Sequence, residues 1–141
     1  MNYNLTGLIL LKNRLNISQK DERIIRYQRY YSISLKDLCR LGDLNGIKWK
    51  NKYNFEFTTK TQDYAAGFGH LEVVKWLHYN HFEGFTTDAI NGAAYFGHLE
   101  VVKWIYRNKK EAYAENAIEN AEVSGHLEVV KFLKDTFSRG F

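Results

Sequence analysis

The groups of this 141-residue chain that could carry chemistry are few: one cysteine, five histidines and a set of scattered carboxylates. Three of the histidines, His70, His98 and His126, recur every 28 positions, a regularity that invites a shared metal. Zinc needs its ligands about 2.0–2.1 Å from one ion, whereas equivalent residues on helices packed side by side stand about 8–10 Å apart. The three cannot share an ion, and no metal site is expected. His78 and His81 are expected in solvent near a helix end. Cys39 aligns with Ala66 and Ala94, so it reads as a small buried residue rather than a nucleophile. A lone cysteine closes no intramolecular disulfide, which agrees with an intracellular, reducing setting. Asp63, Asp88 and Glu119 lie on different repeats without a paired base, and no Gly-rich phosphate loop follows a strand. The chain is therefore read as not an enzyme, with no catalytic residue and no cofactor.

What must position these residues is a repeat. Gly69-His-Leu-Glu-Val-Val-Lys75 returns letter for letter at Gly97–Lys103 and at Gly125–Lys131, each 28 positions on. A weaker copy, Gly42-Asp-Leu-Asn-Gly-Ile-Lys-Trp49, precedes them by 27. A period in this range marks a stacked array whose units are too small to bury their apolar faces alone, so neighbours must supply the core.

Within each unit the pattern predicts two helices joined at a glycine that can take the left-handed conformation. The expected pairs cover about 34–51, 60–80, 88–108 and 116–136. In the second helices Leu71, Val73, Val74 and Leu77, and their equivalents Leu99, Val101, Val102, Ile105, Leu127, Val129, Val130 and Leu133, should face inward. Glu72 and Lys75 and their equivalents should face water. The first helices carry small residues, Ala65 with Ala66, Ala93 with Ala94, then Ala121. A narrow layer beside a wide one makes the array curve and creates a concave side. Trp49, Trp76, Trp104 and Phe132 share one repeat position and suggest an aromatic ladder. Glu122, aligned with Cys39, suits a last unit that no further repeat covers.

Residues 1–33 read as an N-terminal cap or a divergent repeat. Ser18 is a candidate N-cap there, Ile24, Tyr27, Gln28 and Tyr31 fall at helical spacing, and residues 7–11 suit either a short helix or a strand. The composition, 45% hydrophobic and 26% charged, suits one folded domain. No apolar run approaches the ~18–20 residues of a membrane span. The net charge of +4 is uneven: residues 1–60 hold 12 Lys/Arg against 5 Asp/Glu, and residues 61–141 hold 8 against 11. A basic front half, through Lys12, Arg14, Arg23, Arg26, Arg29, Lys48, Lys50 and Lys52, offers a second reading: binding of nucleic acid or an anionic membrane surface.

Ala93-Ala-Tyr-Phe-Gly-His-Leu-Glu-Val-Val-Lys103 resembles the core of the ankyrin repeat, and the likeness covers about residues 32–137. It implies an all-α, ankyrin-type helical-hairpin solenoid of about four stacked helix pairs. The 28-residue period is shorter than the family's ~33, so the β-hairpin fingers should be reduced or absent. The usual Thr-Pro-Leu-His helix start is replaced by Asp88-Ala-Ile-Asn91 and Asn116-Ala-Ile-Glu119, in which Asp88 and Asn116 can cap. Such short units resemble those of giant DNA viruses that infect amoebae and of some protists, and a viral chain of this kind would be expected in host cytoplasm. The resemblance also implies structural roles for Gly69, His70, Gly97, His98, Gly125 and His126, each histidine bonding backbone across the turn. Its implied function is non-enzymatic protein–protein interaction with an unidentified protein, through the first helices and loops of the concave side. The positions that correspond are Asp63, Asn91, Tyr95 and Glu119, with Tyr95 as the best anchor.

Overall fold

The computed structural model describes residues 22–81, 84–108 and 114–138. Lys12, Arg14, Ser18 and the apolar run at 7–11 lie outside them. The described residues form nine helices and no strand. A leading helix, α1 (Glu22–Ser32), precedes four pairs: α2 (Leu35–Leu41) with α3 (Leu44–Lys52), α4 (Thr59–Gly67) with α5 (Leu71–Asn80), α6 (Thr87–Tyr95) with α7 (Leu99–Asn108), and α8 (Ala114–Val123) with α9 (Leu127–Ser138).

Each pair closes on a glycine whose φ is positive: Gly42, Gly69, Gly97 and Gly125, between 66° and 81°. The helix starts differ from the expected ones. Thr86 is the N-cap of α6, its hydroxyl accepting from the Asp88 amide at 3.1 Å, so Asp88 lies inside the first turn. Asn116 likewise falls inside α8. Threonine is a weaker N-cap than Asp, but at position 86 it starts α6 two residues before the start that a cap at Asp88 would give.

First helices pack directly on first helices, α2 on α4, α4 on α6 and α6 on α8, while second helices touch much less. Alanine explains the asymmetry: Ala65, Ala66, Ala93, Ala94, Ala117 and Ala121 are wholly buried and hold that layer narrow. The second helices bury Val73, Val74, Leu77, Val101, Val102, Ile105, Val129 and Leu133. Leu71 and Leu99 pack on this core from its edge. Leu127 departs from the expected inward face and is 77% exposed, because no later repeat among the described residues covers α9. Glu122, on the same open end, pairs with Lys134.

The aromatic row is not one ladder. Trp49 packs against Tyr27 at 5.1 Å and Tyr53 at 4.4 Å, Trp76 against His81 at 5.7 Å, and Trp104 against His78 at 5.1 Å and Phe85 at 5.8 Å. Each tryptophan thus packs on rings from α1, from a loop or from His78 of α5 rather than on the next tryptophan. At the N-terminal end α1 buries Tyr27 and Tyr30 against α3. Lys50, expected on a basic surface, is instead 3% exposed; its ammonium donates to the Tyr31 carbonyl at 3.1 Å and lies 3.8 Å from the Phe55 ring centre. It ties the end of α1 to α3, and burial lowers its pKa.

Candidate partner-binding groove

The histidines and glycines of the heptapeptide interlock between repeats, not within one turn. His70 Nε2 lies 3.0 Å from the carbonyl oxygen of Arg40, in the preceding repeat. His98 bonds the Gly67 backbone in the same way. Each ring seats on the preceding turn glycine: a Cβ on Gly42, Gly69 or Gly97 would come within 2.5 Å of the next repeat's imidazole. Burial lowers the His98 pKa, and its neighbours His70 and His126 push the same way, against the bond to Gly67 that raises it. These rings are joints of the stack. No group of three or more His, Cys, Asp or Glu that could hold a metal occurs among the described residues. Cys39 is wholly buried, its thiol pushed up to about 12 by desolvation, which leaves no thiolate for nucleophilic work near neutral pH.

The surface feature most suited to recognition lies between α4 and α6, on the first-helix side. Tyr64-Ala-Ala-Gly67 of α4 and Gly92-Ala-Ala-Tyr95 of α6 occupy the same four repeat positions with tyrosine and glycine exchanged. Where glycine meets glycine the backbones approach closely: a Cβ on Gly92 would lie 3.3 Å from the Gly67 Cα. The missing side chains leave a groove of about 290 Å³. Tyr64, Phe68 and Phe96 wall it, and Lys60, Asp63 and Asp88 form its polar rim. Phe96 is 57% exposed and Tyr95, against it in an edge contact at 5.0 Å, is 47% exposed. Leu41 and Val123 continue this exposed apolar row at the ends of α2 and α8. Single exposed apolar residues are ordinary; these four lie at the C-terminal ends of the first helices α2, α6 and α8, beside the groove.

The four residues singled out from sequence fall unevenly here. Tyr95 and Glu119 are exposed, and Asp63 and Asn91 are half-buried. Asp63 holds the fold together: its carboxylate accepts from the Thr86 amide at 3.0 Å and from the Thr86 hydroxyl at 2.7 Å, fixing the start of α6 to α4. One repeat later the Thr86 position is Ala114, which offers no hydroxyl, and the Asn91 Oδ1 is buried with no partner among the described residues. Gly92 and Lys60 do not stand out in the sequence by type or spacing, and Phe96, which repeats Phe68 28 positions on, reads equally well as a residue packed inside. The exchange of tyrosine and glycine between positions 64/67 and 92/95 is the one trace of the groove in the sequence, and only the packing of α4 on α6 shows that Gly67 meets Gly92.

The basic residues of the front half also divide. Arg26, Lys48 and Lys52 are exposed around a second cavity between α1 and α3, Arg29 reaches Asp43 at 3.7 Å, and Lys50 is buried. No helix among the described residues is long and apolar enough to cross a membrane.

No curated protein and no solved structure matches the chain. Residues 62–111, the stretch from α4 to just beyond α7 that contains the groove, match the family model for ankyrin repeats (many copies), and the array is an ankyrin-type helical-hairpin solenoid.

Proposed function

We propose that the chain is a non-enzymatic binding module that holds a protein partner against the ends of its first helices, with an apolar side chain of the partner seated in the α4–α6 groove. One observation carries the reading: glycine at both Gly67 and Gly92 opens a groove beside exposed Tyr95 and Phe96. Ankyrin repeats generally mediate protein–protein interaction, and a stack already rigid before docking loses little conformational entropy on binding. Tyr95 and Phe96 act as anchors, since aromatic rings give large contact area with few rotors to freeze. Lys60 and Asp88 set register at the rim, and Glu119 extends the contact toward α8.

The test has two steps. A photoreactive phenylalanine analogue at position 95 is used to trap and identify the partner in the native cell, with the same group at Lys131 as a control. The purified partner is then titrated against wild type, Tyr95→Ala and Phe96→Ala. At least tenfold weaker binding by either variant, with melting unchanged, supports the site; unaltered affinity in both overturns it.

A further inference from the structure

We propose that the cavity between α1 and α3 is a second site, which binds the phosphate group of a small organic phosphate. It has a volume of about 460 Å³, is half open to solvent, and is lined by Arg26 and Tyr30 of α1 and by Asn45, Lys48, Trp49 and Lys52 of α3. Lys48 and Lys52 are one helical turn apart and so share a face of α3. Arg26, a turn before the buried Tyr30, brings a guanidinium from the opposite wall.

Charge is the first argument. Among the described residues three cations line the cavity and no carboxylate does. The nearby acid, Asp43, is already engaged by the Gly46 amide at 2.9 Å, the Tyr30 hydroxyl at 3.5 Å and Arg29 at 3.7 Å. Among the described residues Arg26 and Lys48 make no ion pair, and the Lys52 ammonium meets only the Tyr53 ring, at 5.8 Å. Like charges converging over low-dielectric walls focus a positive field that an anion relieves.

Shape and chemistry narrow the anion. A phosphate ester carries about −1.5 to −2 charge near neutral pH and several strong acceptor oxygens, matching three cations better than one carboxylate does. The guanidinium fork suits adjacent phosphate oxygens, and ammonium groups serve as point charges around them. The cavity falls within the ~300–1,000 Å³ of small-molecule sites and exceeds what a bare phosphate fills. Half-buried Trp49 and the Tyr30 ring give the attached organic part an apolar wall. A half-open cavity of this size, bounded by two short helices, suits a small molecule or a single lipid headgroup, whereas an extended nucleic-acid strand needs a continuous groove.

The full-length chain, labelled with ¹⁵N, is titrated with ADP, with inorganic pyrophosphate, with phosphatidylcholine vesicles carrying phosphatidylinositol 4-phosphate, and with an oligothymidylate. The Trp49 indole resonance reports the pocket. Saturable shifts with ADP, weakened at least tenfold by Lys48→Glu or Arg26→Gln and less than twofold by Lys131→Glu, are the expected result. Vesicle binding with the same mutational pattern, beside the ADP response, places the phosphate on a lipid; no vesicle binding places it on a soluble molecule. Far-UV circular dichroism checks that each variant is folded, and exposed Lys48 gives a usable variant should Arg26→Gln loosen α1. No Trp49 shift with ADP or pyrophosphate, equal effects of Lys48→Glu and Lys131→Glu, or binding of oligothymidylate alone would each overturn the proposal.

Discussion

Replacing Gly69 by alanine probes the joint between repeats with a built-in control. Gly69 has φ +81° and Gly125 φ +76°, so a Cβ suffers nearly the same left-handed strain at both, roughly 1–2 kcal/mol. Beyond strain the sites differ. At Gly69 the new carbon would stand 2.4 Å from His98 Nδ1, so the ring must leave its seat and its bond to Gly67; at Gly125 nothing lies within 4 Å. A half-buried hydrogen bond is worth about 1 kcal/mol, which brings Gly69→Ala to about 2–3 kcal/mol against about 1–2 for Gly125→Ala. Urea unfolding followed by far-UV circular dichroism measures both. Because terminal repeats open first, the decisive comparison is a double-mutant cycle: in a His98→Ala background Gly69→Ala should cost only its strain, a coupling of about 1 kcal/mol. An identical cost in both backgrounds refutes the interlock.

Three further outcomes follow from buried groups. Gln62 is 1% exposed, neither its amide nitrogen nor its oxygen has a partner among the described residues, and the same position is Ile90 and Ile118 in later repeats; Gln62→Ile should therefore stabilise the fold by about 1–3 kcal/mol in urea titrations. Burial raises the Cys39 thiol from 9.0 to about 12, so the unfolded chain loses that proton first and stability is full below pH 9 and falls above it. Between pH 8 and 10 wild type should lose about 1.4 kcal/mol more than Cys39→Ala, whose side chain matches Ala66 and Ala94; parallel curves for the two would exclude a buried neutral thiol. His98 behaves oppositely: its pKa is lowered, so the unfolded chain takes up a proton first, and stability present above pH 6.5 declines as pH falls below it. Thermal melts from pH 7.5 to 5 should show that decline in wild type and a weaker one in His98→Asn.

Much of the architecture is legible because one heptapeptide serves three times. Val73, Val101 and Val129 must find equivalent surroundings, and a 28-residue unit can reach them only by stacking. What stays hidden depends on neighbours that spacing does not specify. Leu127 has the letters of Leu71 and Leu99 but is exposed at an open end. Lys50 reads as one of several surface cations until α1 covers it and offers the Tyr31 carbonyl. Asp63 reads as a free first-helix carboxylate, yet Thr86, 23 residues away, claims it. The groove arises from a pairing of absences, Gly67 against Gly92, visible only when adjacent repeats are laid side by side in space. The spacing of the heptapeptide histidines only rules out a shared metal, and the family resemblance implies a structural role; neither says that their partners are the preceding repeat's backbone.

Whether the α4–α6 groove receives a partner is tested most directly by filling it. Gly67 closes α4, and a Cβ there meets only the Gly92 Cα at an ordinary 4.0 Å, so Gly67→Leu occupies the groove without entering the core. Exchanging a helical glycine for leucine should also leave stability unchanged or raise it by up to about 1 kcal/mol. Titrated calorimetrically against the partner trapped through position 95, Gly67→Leu should bind at least tenfold more weakly than wild type while melting no lower. Full affinity with the groove filled would contradict the assignment.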